Sequence, residues 1–280
     1  ELSNAEVNKL FLKQPSIIHM SFQSNTLPTL DALQNHLNLT VAELRKMILA
    51  QPSTLSYSFH NNTLPTLNAL KGCLNMTDGE LRKMVLRTPD IISYSVDDNI
   101  KPTLRALKGY LQVSRAELRK LILKAPRTIS LNFDCNIFPT LEAIKNYLNL
   151  DHDELRSIIL RLPSVIGLSF DDNFKPTLDA LQRRLGLSDE ELKKIVVQMP
   201  SIINSSNTVL KLDWLQTAFN LNQTSLIQMV QKTPILLSVN LENTLVPGLI
   251  FWREVFNDLD DEDAIKEISS KMSELTQSNK

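Results

Sequence analysis

The sequence predicts an all-α fold, an α-solenoid of about seven 37-residue repeats, each made of two helices and a short turn. Three observations predict it. Helix-opening pairs in the S/T/D-x-x-E spacing recur at Ser3, Thr40, Thr77, Ser114, Asp151 and Ser188, each with Glu three residues on. Prolines recur in step at Pro15, Pro52, Pro89, Pro126, Pro163 and Pro200, and again at Pro28, Pro65, Pro102, Pro139 and Pro176. No stretch alternates apolar and polar residues as a strand would. Self-similarity at a fixed period, with two helical patterns per period, is how a chain looks when each unit buries its apolar faces only against its neighbours.

Residues 77–113 show the logic of one repeat. Thr77 and Glu80 form a capping box, in which hydroxyl and carboxylate satisfy each other's orphan helix N–H groups. Leu81, Met84, Val85 and Thr88 follow at i, i+3, i+4 and i+7, one apolar stripe of an amphipathic helix. Pro89 ends that helix by excluding helical geometry from the residue before it. A short turn carries Ile91 and Ile92 inward. Asn99, three residues before Pro102, predicts the start of the second helix, since asparagine accepts turn geometry and proline is pre-set for the first helical position. Its stripe is Leu104, Leu107 and Leu111. Gln112 closes it where other repeats place Asn or Gly, the residues that best accept a left-handed cap.

The last repeats depart from this pattern. The proline step shortens to 34 residues between Pro200 and Pro234, which places a deletion between Pro200 and Asn207. Leu210 replaces the second-helix proline, and Trp214 stands where earlier repeats have Ala32, Ala69, Ala106, Ala143 and Ala180. The solenoid is read as residues 1–247. Residues 248–280, running through LIFWREVF into DLDDEDAIKEISSKMSEL, are read as capping helices with an acidic tail that shield the open end.

Composition fits a continuous core. The chain is 42% hydrophobic and 22% charged, and no apolar run nears the ~18 residues that cross a bilayer. It begins at Glu1 and reads as a mature form or a fragment. Cys73 and Cys135, in different columns of the repeat, read as small buried or half-buried residues in a reducing compartment rather than a disulfide framework. His19, His36, His60 and His152 have no carboxylate or cysteine at metal-ligand spacing, and the six glycines are too scattered for a phosphate loop. The pairs Asp97–Asp98 and Asp171–Asp172 occupy a repeated surface turn and read as solvated. These features argue against an enzyme and predict neither a metal nor a cofactor.

Charge, by contrast, is sorted by position. At 100° per residue, Lys83 and Arg87 project away from the apolar stripe. The Lys83 column reads Lys9, Lys46, Lys83, Lys120, Ser157, Lys194 and Gln228, and the Arg87 column reads Lys13, Ala50, Arg87, Lys124, Arg161, Gln198 and Lys232. Ten of the fourteen positions are basic and none is acidic, although the chain carries 30 Lys and Arg against 31 Asp and Glu. Stacked repeats would set these cations about 8–10 Å apart along one edge of a curved groove, a track suited to a polyanion. Two structural accounts compete: basic residues in a last turn complement the helix dipole, or acids from the next repeat neutralise them. A third column, Arg45, Arg82, Arg119, Arg156 and Lys193, points beside the core, so its stems are expected to pack between repeats. Its heads reach a groove only if they emerge from that packing.

The rest of the charge pattern restrains this picture. Residues 77–124 carry a balance of +4 and residues 254–280 one of −5, while the pI of about 6.5 is far below that of most nucleic-acid-binding domains. Tyr57, Tyr94, Tyr110 and Tyr147 are spread over different columns and supply no stacking platform for single strands.

The repeat ELRKMILAQPSTLSYSFHNNTLPTLNALKGCLNMT, and its echo ELRSIILRLPSVIGLSFDDNFKPTLDALQRRLGLS, resemble those of the mitochondrial transcription termination factor family. The helix-ending proline, the inward Leu or Ile, the Ser of the turn, the N-x-x-P and the Leu-rich second helix carry the resemblance, from Ser3 to Pro247. It implies a left-handed superhelix of two helices and a short 3-10 turn per repeat. It also implies import into mitochondria or chloroplasts, and a basic concave groove for double-stranded DNA or, in some members, RNA. On that reading the chain is a monomer that acts in organellar transcription termination or regulation. The alternatives are RNA processing or ribosome assembly, or a scaffold whose acidic C-terminal helix docks a protein. Phosphate contacts are expected from the Lys83 and Arg87 columns, with Arg45, Arg82, Arg119, Arg156 and Lys193 as second-tier groove contacts. About six such contacts give a log–log salt slope near −5.

Overall fold

Among the described residues seven first helices alternate with seven second helices, and there is no strand. This computed structural model describes residues 2–204 and 208–255. The chain forms two compact units, residues 1–141 and 142–280. The first unit holds α1 (Asn4–Lys13), α2 (Leu27–Leu37), α3 (Val41–Ala50), α4 (Leu64–Leu74), α5 (Asp78–Arg87), α6 (Lys101–Leu111) and α7 (Arg115–Lys124). The division falls within α8 (Phe138–Tyr147). The second unit holds α9 (His152–Arg161), α10 (Lys175–Leu185), α11 (Asp189–Gln198), α12 (Thr208–Ala218), α13 (Gln223–Lys232) and α14 (Val246–Val255).

Each predicted capping box is formed. In α5 the Glu80 N–H donates to Thr77 Oγ1 at 3.3 Å, and the Thr77 N–H donates to Glu80 Oε2 at 2.9 Å. The same reciprocal pair opens α1, α3, α7, α9 and α11. Every first helix then stops two residues before its proline. The residue between, Thr88 in α5, has φ −141° and ψ 74°, the extended geometry that a following proline imposes. Thr88 is buried as predicted, but as this extended cap rather than as part of the helix.

The turn after Pro89 is one turn of 3-10 helix, Pro89–Ser93, which places Ile91 and Ile92 at 0% and 1% exposure. The second helix begins earlier than Asn99 predicts. Ser95 caps a single π-helical turn, Val96–Ile100, by accepting the Asp98 N–H at 3.2 Å, and this turn runs directly into α6. Ser21, Ser58, Asn132, Ser169 and Asn240 do the same in their repeats. Asn99 therefore lies inside helical geometry, and the chain's change of direction belongs to the Ser95 column.

Second helices end in a left-handed residue, as predicted: Asn38, Asn75, Gln112, Asn149, Gly186 and Asn220 all have φ between 48° and 65°. The following residue returns its N–H five positions back, Leu39 to the Gln34 carbonyl at 2.9 Å and Val113 to that of Lys108 at 3.2 Å. These are Schellman motifs, and Leu39, Met76, Val113, Leu150 and Leu187 complete them by burying an apolar side chain.

In the first unit, α1 packs on α3, and the second helices α2 and α4 each touch the first helix of the next repeat. In the second unit, α9 packs on α11 and α10 on α12. Leu81, Met84, Val85, Leu104, Leu107 and Leu111 are each at most 4% exposed, so both predicted stripes face the core. The shortened repeat runs from a 3-10 turn, Pro200–Asn204, to α12 across residues 205–207, which lie outside the described residues. Leu210, in the proline column, is 60% exposed; Trp214 is half-buried with its ring edge-on to Phe219. Cys73 is half-buried, but Cys135 is exposed, because it sits on the outer side of the π turn rather than in the core. The predicted acidic tail lies outside the described residues.

Candidate nucleic-acid interface

The first helix of each repeat carries three basic columns, and the structure gives each a different role. The Arg82 column is spent on holding repeats together. Arg45 pairs with Glu6, Arg82 with Glu43 at 2.6 Å, and Arg119 with Glu80 at 2.7 Å, each reaching 39 residues back. In the second unit Lys193 pairs with Glu154 at 2.8 Å, which raises the lysine's pKa. Arg156 also has a partner in the folded chain. The acid in every resolved pair is a capping-box glutamate. One oxygen of Glu80 faces its own helix N-terminus and the other faces the next repeat's arginine. The backbone N–H of the cap residue holds Glu43, Glu80 and Glu191 below the usual carboxylate range, and Arg45 is the chief cause that takes Glu6 down to about 2. These heads are held by carboxylates between repeats while the side chains stay partly exposed, so a second-tier groove contact from Arg45, Arg82 or Arg119 would give up an ion pair.

The Arg87 column is divided. Lys13 donates to the Leu49 and Ala50 carbonyls at 3.2 Å each, Arg87 to that of Leu123 at 3.3 Å, and Arg161 to that of Val197 at 2.6 Å and to Gln198. These are the last carbonyls of α3, α7 and α11, which have no partner within their own helix. The cations thus cap the next repeat's helix, rather than only complementing the dipole of their own. Lys124 and Lys232 are exposed and form no hydrogen bond or ion pair among the described residues.

The Lys83 column is the one left open. Lys9, Lys46, Lys83, Lys120 and Lys194 are all exposed, and among the described residues none makes a hydrogen bond or an ion pair. Neutralisation by the neighbouring repeat therefore applies to the Arg82 column and not to this one. The face of the second helices differs in sign: Arg105 shares its column with Asp31, Glu142, Asp179 and Asp213, and Lys101 and Lys175 are paired with Asp97 and Asp179.

Lys211 went unread in the sequence, and Tyr110 and Tyr147, expected in different columns, share one. Lys211 is 8% exposed and donates to the Leu237 carbonyl at 2.8 Å, and burial lowers its pKa. It occupies the column of Thr66 and Thr103, whose hydroxyls reach the carbonyls of Tyr94 and Leu131 in the next repeat, so its role is structural. Tyr110 and Tyr147, one repeat apart, each stand edge-on to the phenylalanines of the following repeat, Phe133 and Phe138 for the first, Phe170 and Phe174 for the second. Tyr147 also donates to Asp179, and burial is the main cause of its raised pKa.

Among the described residues there is no group of three or more His, Cys, Asp or Glu placed to hold a metal ion, and no helix long and apolar enough to cross a membrane. No curated protein matches the chain. The family model mTERF matches residues 1–112 and 106–270, nearly the whole sequence. The capping boxes, the proline-ended helices and the open basic column are thus features of a chain that belongs to the mTERF family, whose members are generally non-enzymatic helical-repeat proteins that bind nucleic acid in organelles.

Proposed function

We propose that this chain binds double-stranded DNA through phosphate contacts made by the Lys83 column, and acts as a monomer in organellar transcription termination or regulation. One observation carries the reading. Five lysines at equivalent positions stand exposed and, among the described residues, unpaired, while the arginines beside them are engaged in ion pairs. In the first unit Lys124 adds an exposed cation one turn after Lys120, and Lys13 and Arg87 stand one turn after Lys9 and Lys83 with heads already oriented by helix carbonyls. Duplex is favoured over single strands because Tyr110 and Tyr147 are engaged with Phe side chains, and the Tyr94 hydroxyl is bound to Asp90 at 2.8 Å. Nothing in this arrangement reads base sequence, so recognition is backbone-driven.

The test is a salt titration of binding to a 20-base-pair DNA duplex. Four to five phosphate contacts give a slope of log K against log salt of about −4. A slope near zero, or binding unchanged by combined K46E, K83E and K120E, removes the proposal. Equal or tighter binding of an RNA duplex moves the role to RNA. A protein partner kept by the triple variant moves it to a scaffold.

A further inference from the structure

We infer that the polyanion contact is confined to the first unit, residues 1–141, and that the residue one turn before each column position sets this boundary. The inference rests on the phosphate-binding reading above. In an α-helix the residue at i−4 shares the face of residue i, so it decides the local field at a lysine head. Before Lys9, Lys46, Lys83 and Lys120 that residue is Ala5, Ala42, Gly79 and Ala116, uncharged and exposed in every case. The nearest acids are Glu6, Glu43, Glu80 and Glu117; the first three are paired with arginines of the next repeat, and Glu117 also has a partner in the folded chain. Four lysines therefore face solvent with no free carboxylate on their own stripe.

The second unit reverses the pattern. Its column positions are Ser157, Lys194 and Gln228, and one turn before them stand Asp153, Glu190 and Thr224. Asp153 and Glu190 are exposed and carry the same face as the column. Glu191 adds a third carboxylate that senses Lys194. Across the two positions, the first unit presents four positive charges and no negative one, and the second presents one positive and two negative. A phosphate backbone gains from the first surface and is repelled by the second. The paired neutral totals of the whole chain conceal this asymmetry.

Amine acetylation of the intact chain, with and without a 20-base-pair duplex, reads the footprint lysine by lysine in a mass spectrometer. Lys46, Lys83 and Lys120 are expected to be protected several-fold by duplex, with Lys194 labelled equally in both states. Protection of Lys194 to the same factor as Lys83 overturns the boundary while leaving nucleic-acid binding intact. Failure of the duplex to bind at all overturns both. A second arm builds charge where it is missing: D153A combined with S157K, with helix content checked by circular dichroism, should steepen the salt slope by about 0.9, one added phosphate contact. A folded double variant with an unchanged slope shows that the acid at i−4 is not what sets the limit.

Discussion

Arg87 and Lys83 lie one turn apart on α5, both exposed and both basic, yet neutralising them should give opposite results. The Arg87 guanidinium donates to the Leu123 carbonyl at the C-terminus of α7 and also sits in the last turn of its own helix. A cation at a helix C-terminus contributes about 0.3–1 kcal/mol. Arg87→Gln should therefore lower the midpoint of thermal unfolding by about 1–4 °C, taking roughly 2–4 °C per kcal/mol for a chain of this size. Lys83 makes no hydrogen bond or ion pair among the described residues, and Lys and Gln have nearly equal helix propensity. Lys83→Gln should shift the midpoint by less than about 1 °C, while flattening the salt slope of duplex binding by about 0.9. Calorimetry and fluorescence anisotropy on the same two preparations measure both quantities. Equal loss of stability in the two variants, or a slope that responds to Arg87→Gln and not to Lys83→Gln, refutes the division of labour between the columns.

Gln112 holds φ 50° where other repeats use Asn or Gly, so Gln112→Asn should stabilise the chain by about 0.5–1 kcal/mol in urea unfolding. Leu107 is fully buried, and Leu107→Ala should cost about 2–5 kcal/mol in the same assay. The capping glutamates fix the acid limit. Glu6, Glu43, Glu80 and Glu191 bind fewer protons folded than unfolded, so their stabilisation is complete above their ordinary value of 4.5 and is lost as pH falls towards about 2, the value for Glu6. The unfolding midpoint should drop steeply across that window, and Glu6→Gln should make the drop shallower. Lys211→Met removes a buried donor from the Leu237 carbonyl and should cost about 1–3 kcal/mol by urea unfolding.

The period and the helices were legible because their signals are local. A capping box, a proline and a left-handed cap each act within about five residues, and all three repeat in step. The π turn was not legible: Ser95 resembles any turn serine, and its role depends on accepting the Asp98 N–H, which only the backbone path reveals. The ten basic positions were visible, but their separation into capping and open cations was not. Lys13, Arg87 and Arg161 reach carbonyls 36 or 37 residues away, a distance set by stacking and invisible along one helix. The ion pair of Arg82 was hidden for the same reason, since its carboxylate lies 39 residues back. Lys211 was missed because it replaces threonine in the shortened repeat, where the expected side chain is small.

The two neighbouring columns also differ in residue type, and that difference has a chemical cause. Positions paired with a capping glutamate are Arg45, Arg82 and Arg119, with Lys193 the one lysine, whereas every charged residue of the open column is a lysine: Lys9, Lys46, Lys83, Lys120 and Lys194. A planar guanidinium fork matches a carboxylate with its donors fixed in one plane, and it tolerates partial burial because it is weakly hydrated. Arg119 uses that fork twice, on Glu80 at 2.7 Å and on the Asn75 carbonyl at 2.9 Å. An ammonium on a flexible stem is strongly hydrated and carries no directional demand, so it stays in solvent and meets a phosphate at any angle. A stack of repeats needs the first behaviour between its layers and the second on its surface. The sorting therefore separates what holds the repeats together from what remains available to a ligand. Exchanging the types tests it: Arg82→Lys should weaken the repeat interface although charge is kept, and Lys83→Arg should leave both stability and the salt slope unchanged.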